Sequence, residues 1–142
     1  MNLTAFIDGS CYGNPGKAGF GIILKTEDGV VLRRLGRYIG EATNNIAEYA
    51  ALIGCLELAG SYPVKKITVF SDSQLLVKQF SGEYRIKKQH LRELHRRIME
   101  WRRNHTVAID VQHISREQNV EADRLARKAV DLEADIEENT PV

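Results

Sequence analysis

Four acidic residues stand at breaks between an apolar segment and a cap or turn, each in its own local context. They are Asp8 in FIDGSCYGNPG, Glu48 in TNNIAEYAAL, Asp72 in VFSDSQLL and Asp123 in NVEADRLA. Carboxylates that are brought together repel each other unless they are protonated or bridged by cations. Divalent metal ions are the usual reason that a fold keeps such a cluster. The four acids therefore predict a metal site, and metal-assisted phosphodiester chemistry is the first hypothesis.

Each acid, taken alone, also has a purely structural interpretation. Asp8 precedes a glycine, as in a turn after a strand, and Glu48 follows Asn45 at capping-box spacing. Asp72 and Asp123 fall near the starts of predicted helices, where the helix dipole favours negative charge. The joint pattern favours the metal site, because all four acids lie at element ends and on faces that point inward.

The elements that must position these acids follow from turn signals and apolar periodicity. Strands are predicted at residues 3–8, 20–26, 30–38, 66–71 and 107–114, and helices at 46–60, 73–80, 87–103 and 119–132. Three antiparallel strands followed by alternating helix and strand indicate an α/β fold, with a mixed sheet flanked by helices. Short strand-to-helix loops would bring the four acids to one edge of that sheet.

The length and composition fit one globular domain, but the charge is distributed unevenly. The chain has 142 residues, 43% of them hydrophobic, and a net charge of +1. Residues 78–103 carry nine Lys or Arg against three Glu, whereas residues 131–138 carry five acids and no base. The basic segment is either a contact for a phosphate backbone or a solvated helix face. We expect one domain over residues 1–132 and a flexible acidic tail over residues 133–142.

Cysteine usage and hydropathy indicate an intracellular environment. Cys55 lies in an apolar helical segment, which predicts a buried thiol, and Cys11 lies in a glycine-rich loop, which predicts a free one. The first residues do not resemble a signal peptide, and no apolar segment approaches the ~18 residues that span a bilayer. We therefore expect a cytoplasmic monomer that does not contact membranes.

Four motifs occur together in the order found in type 1 ribonuclease H, and the chain resembles that family. The motifs are DGSCYGNPGKAGFG, TNN-x-x-E, SDSQ and N-x-x-A-D-x-L-A, and the resemblance covers residues 3–130. It implies the ribonuclease H-like fold, a five-stranded mixed sheet whose first three strands are antiparallel. It also implies an endonuclease that hydrolyses the RNA strand of RNA–DNA hybrids and leaves a 5′-phosphate and a 3′-hydroxyl.

The resemblance also implies the roles of individual residues. The catalytic and metal-binding carboxylates would be Asp8, Glu48, Asp72 and Asp123, with Asp8 as the bridging ligand. The implied cofactor is Mg²⁺, two ions per site at a separation of ~3.5–4 Å, and Mn²⁺ is expected to substitute because it also accepts oxygen ligands. The substrate contacts would be Cys11, Asn14, Thr43, Asn44, Asn45 and Gln74. Helix capping by Asn44 or Asn45 and a turn at Asn14 remain open as structural alternatives.

The chain departs from the family's pattern in two places. One helix, residues 87–103, follows Gly82, so there is no room for the extra basic helix and loop of many bacterial members, and a compact form is expected. The loop before Asp123 lacks the family's proton-shuttling histidine. His113 and Arg116 are both candidates for the shuttle, which stays unassigned. Loss of general acid–base help would cost about 10²–10⁴-fold at most, so activity should survive.

Two other functions remain open at this stage. One is a catalytically weak module that binds hybrid or other nucleic acid and has kept the fold; the four intact acids argue against it. The other is a resolvase-like or transposase-like nuclease of the same fold, and the TNN and SDSQ contexts argue against that.

Overall fold

Six strands form one mixed sheet in the computed structural model, which describes residues 1–138. The strands are β1 (Asn2–Gly13), β2 (Gly16–Thr26), β3 (Val31–Ala42), β4 (Lys66–Ser71), β5 (Ala108–His113) and β6 (Ile136–Glu137). The helices are α1 (Asn44–Ala59), α2 (Gln74–Phe80), α3 (Gln89–Asn104) and α4 (Val120–Leu132). The α/β ribonuclease H-like fold is confirmed, with a sixth short strand added to the five that were expected.

The sheet order β5-β4-β1-β2-β3-β6 places β1 at its centre. The first three strands form the expected antiparallel meander, while β1, β4 and β5 are parallel to each other. The carboxyl ends of parallel neighbours lie at the same edge of a sheet. That edge is therefore where residues following β1 and β4 come together.

Helices cover the sheet on both faces. On one face, α1 packs against β1 and β2 and against α3, around a core that includes Leu52, Leu56 and Ile98. On the other face, α4 packs against the meander. This helix lies unusually close to β2, because a Cβ atom at Gly21 would stand 2.2 Å from the carbonyl oxygen of Ala122. Only glycine allows such an approach of helix to strand backbone.

The glycine-rich segment after Asp8 extends the first hairpin instead of forming a loop. β1 continues to Gly13, and its residues pair with the beginning of β2. Glycines and Asn-Pro favour turns locally, but pairing between the two strands overrides that preference. The first helix also begins differently from the prediction, since its N-cap is Thr43, whose Oγ1 accepts a hydrogen bond from Ile46 N at 3.2 Å. The capping prediction for Asn44 or Asn45 was wrong.

The acidic segment 133–138, here called the C-terminal strap, departs from the expected flexible tail. Its strand β6 pairs with β3, and Glu138 N donates to Arg34 O at 2.9 Å. Basic side chains pair with its acids, as between Arg124 and Glu138 at 2.6 Å. An acidic segment favours solvation where no basic side chains face it. In this structure basic side chains do face the C-terminal strap, and the segment is therefore ordered against the sheet. The rest of the predicted tail, residues 139–142, lies outside the described part of the chain.

Three further expectations can be compared with the structure. The Cys55 thiol is fully buried in the core, as predicted, and both cysteines are free. In the described residues, α2 is followed directly by α3 without an additional helix, which confirms the compact form. Within the same residues, no helix has the length and apolar character that a bilayer crossing would require.

Candidate active site

Asp8 and Asp72 are neighbours because of the register between β1 and β4. The last pair of that parallel ladder is Ile7 with Ser71, so the next residue on each strand leaves the pairing at the same sheet edge. Asp8 was predicted to end its strand, and this was wrong. It lies instead at the point where β1 separates from β4. It is 5% exposed.

Glu48 reaches the same edge from α1. The start of this helix lies directly against β1, since a Cβ at Gly9 would stand 2.6 Å from the backbone nitrogen of Glu48. Gly9 therefore allows a close approach of helix to strand that a residue with a Cβ atom would prevent. Glu48 does not complete a capping box; its side chain lines the cavity beside Asp8.

Asp123 approaches from the opposite face of the sheet on the first turn of α4. Asp8 and Gly21 are direct cross-strand partners, so the close seating of α4 over Gly21 also brings Asp123 to Asp8. The two carboxyl groups interact, and this contact contributes to a raised pKa of Asp8. Asp123 also accepts a hydrogen bond from Arg127 Nε at 3.1 Å.

The four acids line one concavity of about 380 Å³, here called the acid cavity. Among the described residues, one oxygen each of Asp8, Glu48 and Asp72 lie within 4.8 Å of one another, while Asp123 lies outside this trio. Glu48 Oε2 is buried and has no hydrogen-bond partner in the described part of the chain. An unpaired buried carboxylate oxygen costs free energy unless a cation binds it. The trio could therefore hold a metal ion, and its oxygens are the ligands that Mg²⁺ and Mn²⁺ prefer.

Burial and mutual repulsion both disfavour ionisation of this cluster. Burial raises the pKa of Asp8 well above its ordinary value, and the charges of Glu48 and Asp72 raise it further. Burial also raises the pKa of Glu48, and the charge of Asp72 adds to the effect. The Gly9 N–H and the charge of Arg116 partly oppose the rise at Glu48. A bound divalent cation would reverse this situation, because it favours the charged forms.

Three of the six predicted substrate contacts line the acid cavity, and three do not. Cys11, Asn44 and Asn45 line it. Asn14 lies beside it, where its Oδ1 accepts a hydrogen bond from Asn44 N at 3.1 Å. Thr43 is occupied in capping α1, and Gln74 is exposed at the first position of α2.

Other residues at the cavity were not predicted as site residues from the sequence. Ser10, Ser73, Val120 and Arg127 line it. Arg116 lines it too, and it was predicted only as an alternative for the proton shuttle. Arg127 follows Asp123 by four residues, and that helical spacing could have indicated the pair. His113, the other shuttle candidate, is exposed at the end of β5 and is not among the residues that line the cavity.

A mixed sheet with a parallel β4-β1 pair and an acid cavity at its edge defines the ribonuclease H-like class of nucleases. The sequence profile described as reverse transcriptase-like matches residues 6–129. Ribonuclease HI of Halobacterium salinarum is 38% identical over 91% of this chain and 64% of its own length. Ribonuclease H of Geotalea uraniireducens is 32% identical over 93% of this chain and 96% of its own length. The chain therefore belongs to the ribonuclease H family, as its motifs predicted.

A solved structure extends the similarity to three dimensions. The LC11 RNase H1, solved in complex with an RNA/DNA hybrid, superposes with a TM-score of 0.87 at 36% identity, over 92% of this chain and 98% of that one. Not every relative is of similar length. The chain spans 64% of the Halobacterium protein and 37% of each of the mycobacterial proteins it matches.

Proposed function

We propose that this chain is an endonuclease that hydrolyses the RNA strand of RNA–DNA hybrids and leaves a 5′-phosphate and a 3′-hydroxyl. The observation that carries the proposal is the convergence of Asp8, Glu48 and Asp72 within 4.8 Å, with a buried Glu48 oxygen that has no partner in the described residues. The 36% identical LC11 enzyme, whose structure contains an RNA/DNA hybrid, supports the choice of substrate.

In this proposal Asp8, Glu48, Asp72 and Asp123 hold two Mg²⁺ ions, and Mn²⁺ substitutes for them. When bound, such ions supply an activated water and stabilise the leaving 3′ oxygen. Asp8 is the natural shared ligand, because it belongs to the close trio with Glu48 and Asp72 and also interacts with Asp123. Asp123 is the most adaptable ligand, since it is already paired with Arg127 and lies outside the close trio.

The remaining cavity residues are suited to the RNA strand. The side-chain amides of Asn44 and Asn45 can both donate and accept hydrogen bonds, as a 2′-hydroxyl requires. Their place at the N-terminus of α1 puts them beside Glu48. We propose that these two asparagines and Cys11 contact the RNA strand, and that Asn14 holds Asn44 in place. Thr43 and Gln74 are proposed to contact substrate only beyond the cavity.

Arg116 is proposed to stabilise charge instead of moving a proton. It lines the cavity, and its charge partly offsets the burial-driven rise in the pKa of Glu48. A guanidinium does not release its proton near neutral pH, so it cannot serve as a general acid or base. It can instead pair with a phosphate oxygen. The site as proposed therefore works without a histidine shuttle.

The basic segment before and within α3 is proposed to contact the DNA strand. Tyr84 is 49% exposed and stands beside a second concavity that Arg85, Lys87 and Lys88 also line. Exposed cations near an aromatic ring suit a phosphate backbone with stacked bases. The predicted cytoplasmic location and monomeric state stay predictions.

A cleavage assay tests the proposal. Labelled RNA–DNA hybrid, RNA duplex and DNA duplex are each incubated with the protein in Mg²⁺, Mn²⁺ or EDTA. We expect metal-dependent cutting of the RNA strand of the hybrid. Hybrid binding without cleavage in either metal would instead favour the binding module, and cutting of the DNA duplex would favour a resolvase-like nuclease. The exposed turn variant Asp28→Asn serves as the control, because it removes an acid far from the cavity.

A further inference from the structure

One buried amide lies beneath the acid cavity and belongs to none of the roles described above. Asn119 is 2% exposed and occupies the position before α4 begins. Among the described residues, the other buried polar or charged side chains are Asp8, Ser71 and Gln79. Burial of an amide is unfavourable unless its hydrogen bonds are made, so the partners of Asn119 indicate why it is there.

Both hydrogen bonds of the Asn119 side chain lead to the acid cavity. Its Nδ2 donates to the carbonyl oxygen of Ile7 at 2.8 Å and to Asp72 Oδ2 at 3.3 Å. Ile7 is the residue before Asp8. The backbone carbonyl of Asn119 also accepts a hydrogen bond from Asp123 N at 3.2 Å. A single residue thus connects the three segments that carry Asp8, Asp72 and Asp123.

Helix capping does not explain this side chain. A capping asparagine uses its Oδ1 to accept from a backbone N–H two or three residues later. Asn119 makes no such bond, and its Oδ1 is buried without a partner in the described part of the chain. The amide therefore serves through its two donor hydrogens, and both are directed at the sheet edge and not at the helix.

We propose that Asn119 is a positioning residue for the metal-binding acids. Its amide occupies one oxygen of Asp72 and so turns the other toward Asp8 and Glu48. Its bond to Ile7 fixes the distance between the end of the β1–β4 ladder and the first turn of α4, and with it the separation of Asp8 from Asp123. Groups that orient metal ligands in this way typically change metal affinity or activity by about 10–100-fold when they are removed. The assignment rests on the proposed metal site.

The test compares Asn119→Ala and Asn119→Ser with a control in a second buried amide. Serine is favoured at helix starts, so Asn119→Ser preserves the beginning of α4, but its shorter side chain does not reach Asp72. The control is Gln79→Ala. Gln79 is 6% exposed, accepts a hydrogen bond from Tyr49 Oη at 2.5 Å and donates to Arg85 O at 3.2 Å. Neither partner belongs to the acid cavity.

Two quantities are measured at a temperature well below the melting temperature of the least stable variant. Calorimetry with Mn²⁺ alone gives the metal affinity of the free protein, and hybrid cleavage over a range of Mg²⁺ concentrations gives kcat and KM. For both Asn119 variants we expect roughly tenfold weaker Mn²⁺ binding and a lower kcat, with little change in KM for the hybrid. Gln79→Ala should lower the melting temperature without changing Mn²⁺ affinity.

The outcomes separate this inference from the proposed function. If the Asn119 variants lose thermal stability with no change in Mn²⁺ affinity or kcat, Asn119 is a structural anchor and the inference is overturned. If the natural chain binds Mn²⁺ but cleaves no hybrid, the proposed activity fails, while the calorimetry still decides the role of Asn119. If the natural chain binds no Mn²⁺, both the proposed function and the inference about Asn119 fail.

Discussion

The acid cavity and the C-terminal strap contain the same kind of residue in opposite surroundings. In the acid cavity, burial and neighbouring acids raise the pKa of Asp8 and of Glu48. In the C-terminal strap, hydrogen bonds from Arg124 and Lys128 lower the pKa of Glu138 to about 2, and Arg33 lowers that of Glu137. Carboxylates therefore reduce the stability of the fold in the acid cavity and increase it in the C-terminal strap. The comparison indicates that acids buried beside one another are costly to the fold, as expected of a site kept for binding a cation.

Helix α4 belongs to both regions. Asp123 on its first turn faces the acid cavity, while Arg124 and Lys128 on another face pair with Glu138. Adjacent positions on a helix point in different directions, so one helix can supply an acid to one region and bases to the other. Changes to α4 should affect both regions, whereas changes to single acids should separate them.

The largest expected effect comes from Asp8→Asn. We expect hybrid cleavage to be abolished while hybrid binding persists, because the proposed central metal ligand is lost and the surface is otherwise unchanged. The same variant should be more stable than the natural chain in EDTA at pH 7, by roughly 1–3 kcal/mol, since each unit of pKa shift corresponds to about 1.36 kcal/mol. Cleavage assays and urea unfolding measure the two effects.

Retained cleavage in Asp8→Asn would remove Asp8 from the site. If Asp8→Asn were less stable than the natural chain in EDTA, repulsion in the acid cavity would not reduce the free energy of unfolding. Asp28→Asn, in an exposed turn, should change neither quantity.

The second effect is that of Gly21→Ala, which should damage both regions together. The added Cβ would stand 2.2 Å from Ala122 O, so α4 must move outward. Overpacking of this kind typically costs about 1–3 kcal/mol, and a shift of about 1 Å in a catalytic group can reduce the rate by about 10²-fold. Melting temperature and kcat should both fall. Gly29→Ala is a control for added bulk, because nothing lies within 4 Å of its Cβ position, although its positive φ of 92° will cost some stability.

The third effect is a difference in pH dependence. The pKa of Glu138 is lower in the folded chain than in the unfolded chain, so its pairing stabilises the fold above the unfolded value of about 4.5 and is lost as the pH falls toward 2. The pKa values of Asp8 and Glu48 are higher in the folded chain. The stability of the fold therefore decreases as the pH rises above about 4–4.5 in the absence of metal, because these groups lose their protons more readily in the unfolded chain than in the folded one.

Glu138→Gln should consequently lower the free energy of unfolding at pH 7 by about 1 kcal/mol, and this difference should vanish near pH 2. The excess stability of Asp8→Asn in EDTA should instead grow between pH 5 and pH 8. Urea unfolding at several pH values measures both trends, and parallel trends for the two variants would contradict the comparison.

The smallest effect is the response to salt. The ion pairs of the C-terminal strap are partly exposed, with 27% of the Glu138 side chain accessible. The Debye length falls from about 10 Å at 0.1 M to about 3 Å at 1 M salt, and buried charges are screened much less. The cost of Glu138→Gln should therefore shrink by a few tenths of a kcal/mol between these concentrations, while the EDTA effect of Asp8→Asn changes less. An equal response of both variants would contradict this difference in burial.

Much of this structure could be predicted from the sequence, because local patterns and the fold agree. The meander, the order of helices and strands, the buried Cys55 and the four acids were all indicated by periodicity, turn signals and motifs. The extension of β1 to Gly13 was missed, since the glycine-rich segment becomes a strand only through its pairing with β2. The strand in the C-terminal strap was missed because its partners on β3, Arg33 and Arg34, lie far away in sequence.

The site shows the same division. The four acids could be identified from their residue types and flanking motifs. The distances between their carboxyl groups could not, because these depend on the β1–β4 register and on the close packing of α4 over Gly21. Asn119 was visible only as a letter of a motif, because its role arises from contacts with Ile7 and Asp72, more than forty positions away. Patterns in a sequence report local preference well, whereas contacts between distant segments leave no local signal.

The central place of β1 in the sheet has a consequence for the order in which the molecule is completed. The first acid lies on β1, yet its neighbours come from α1, from the end of β4 and from α4, near the far end of the chain. Contacts between such distant segments form late and slowly. During synthesis, the nascent chain therefore cannot assemble the proposed ion-binding edge until α4 has emerged and docked. Cation binding should accordingly report the finished fold, and a partly synthesised chain should be inert toward nucleic acid hydrolysis.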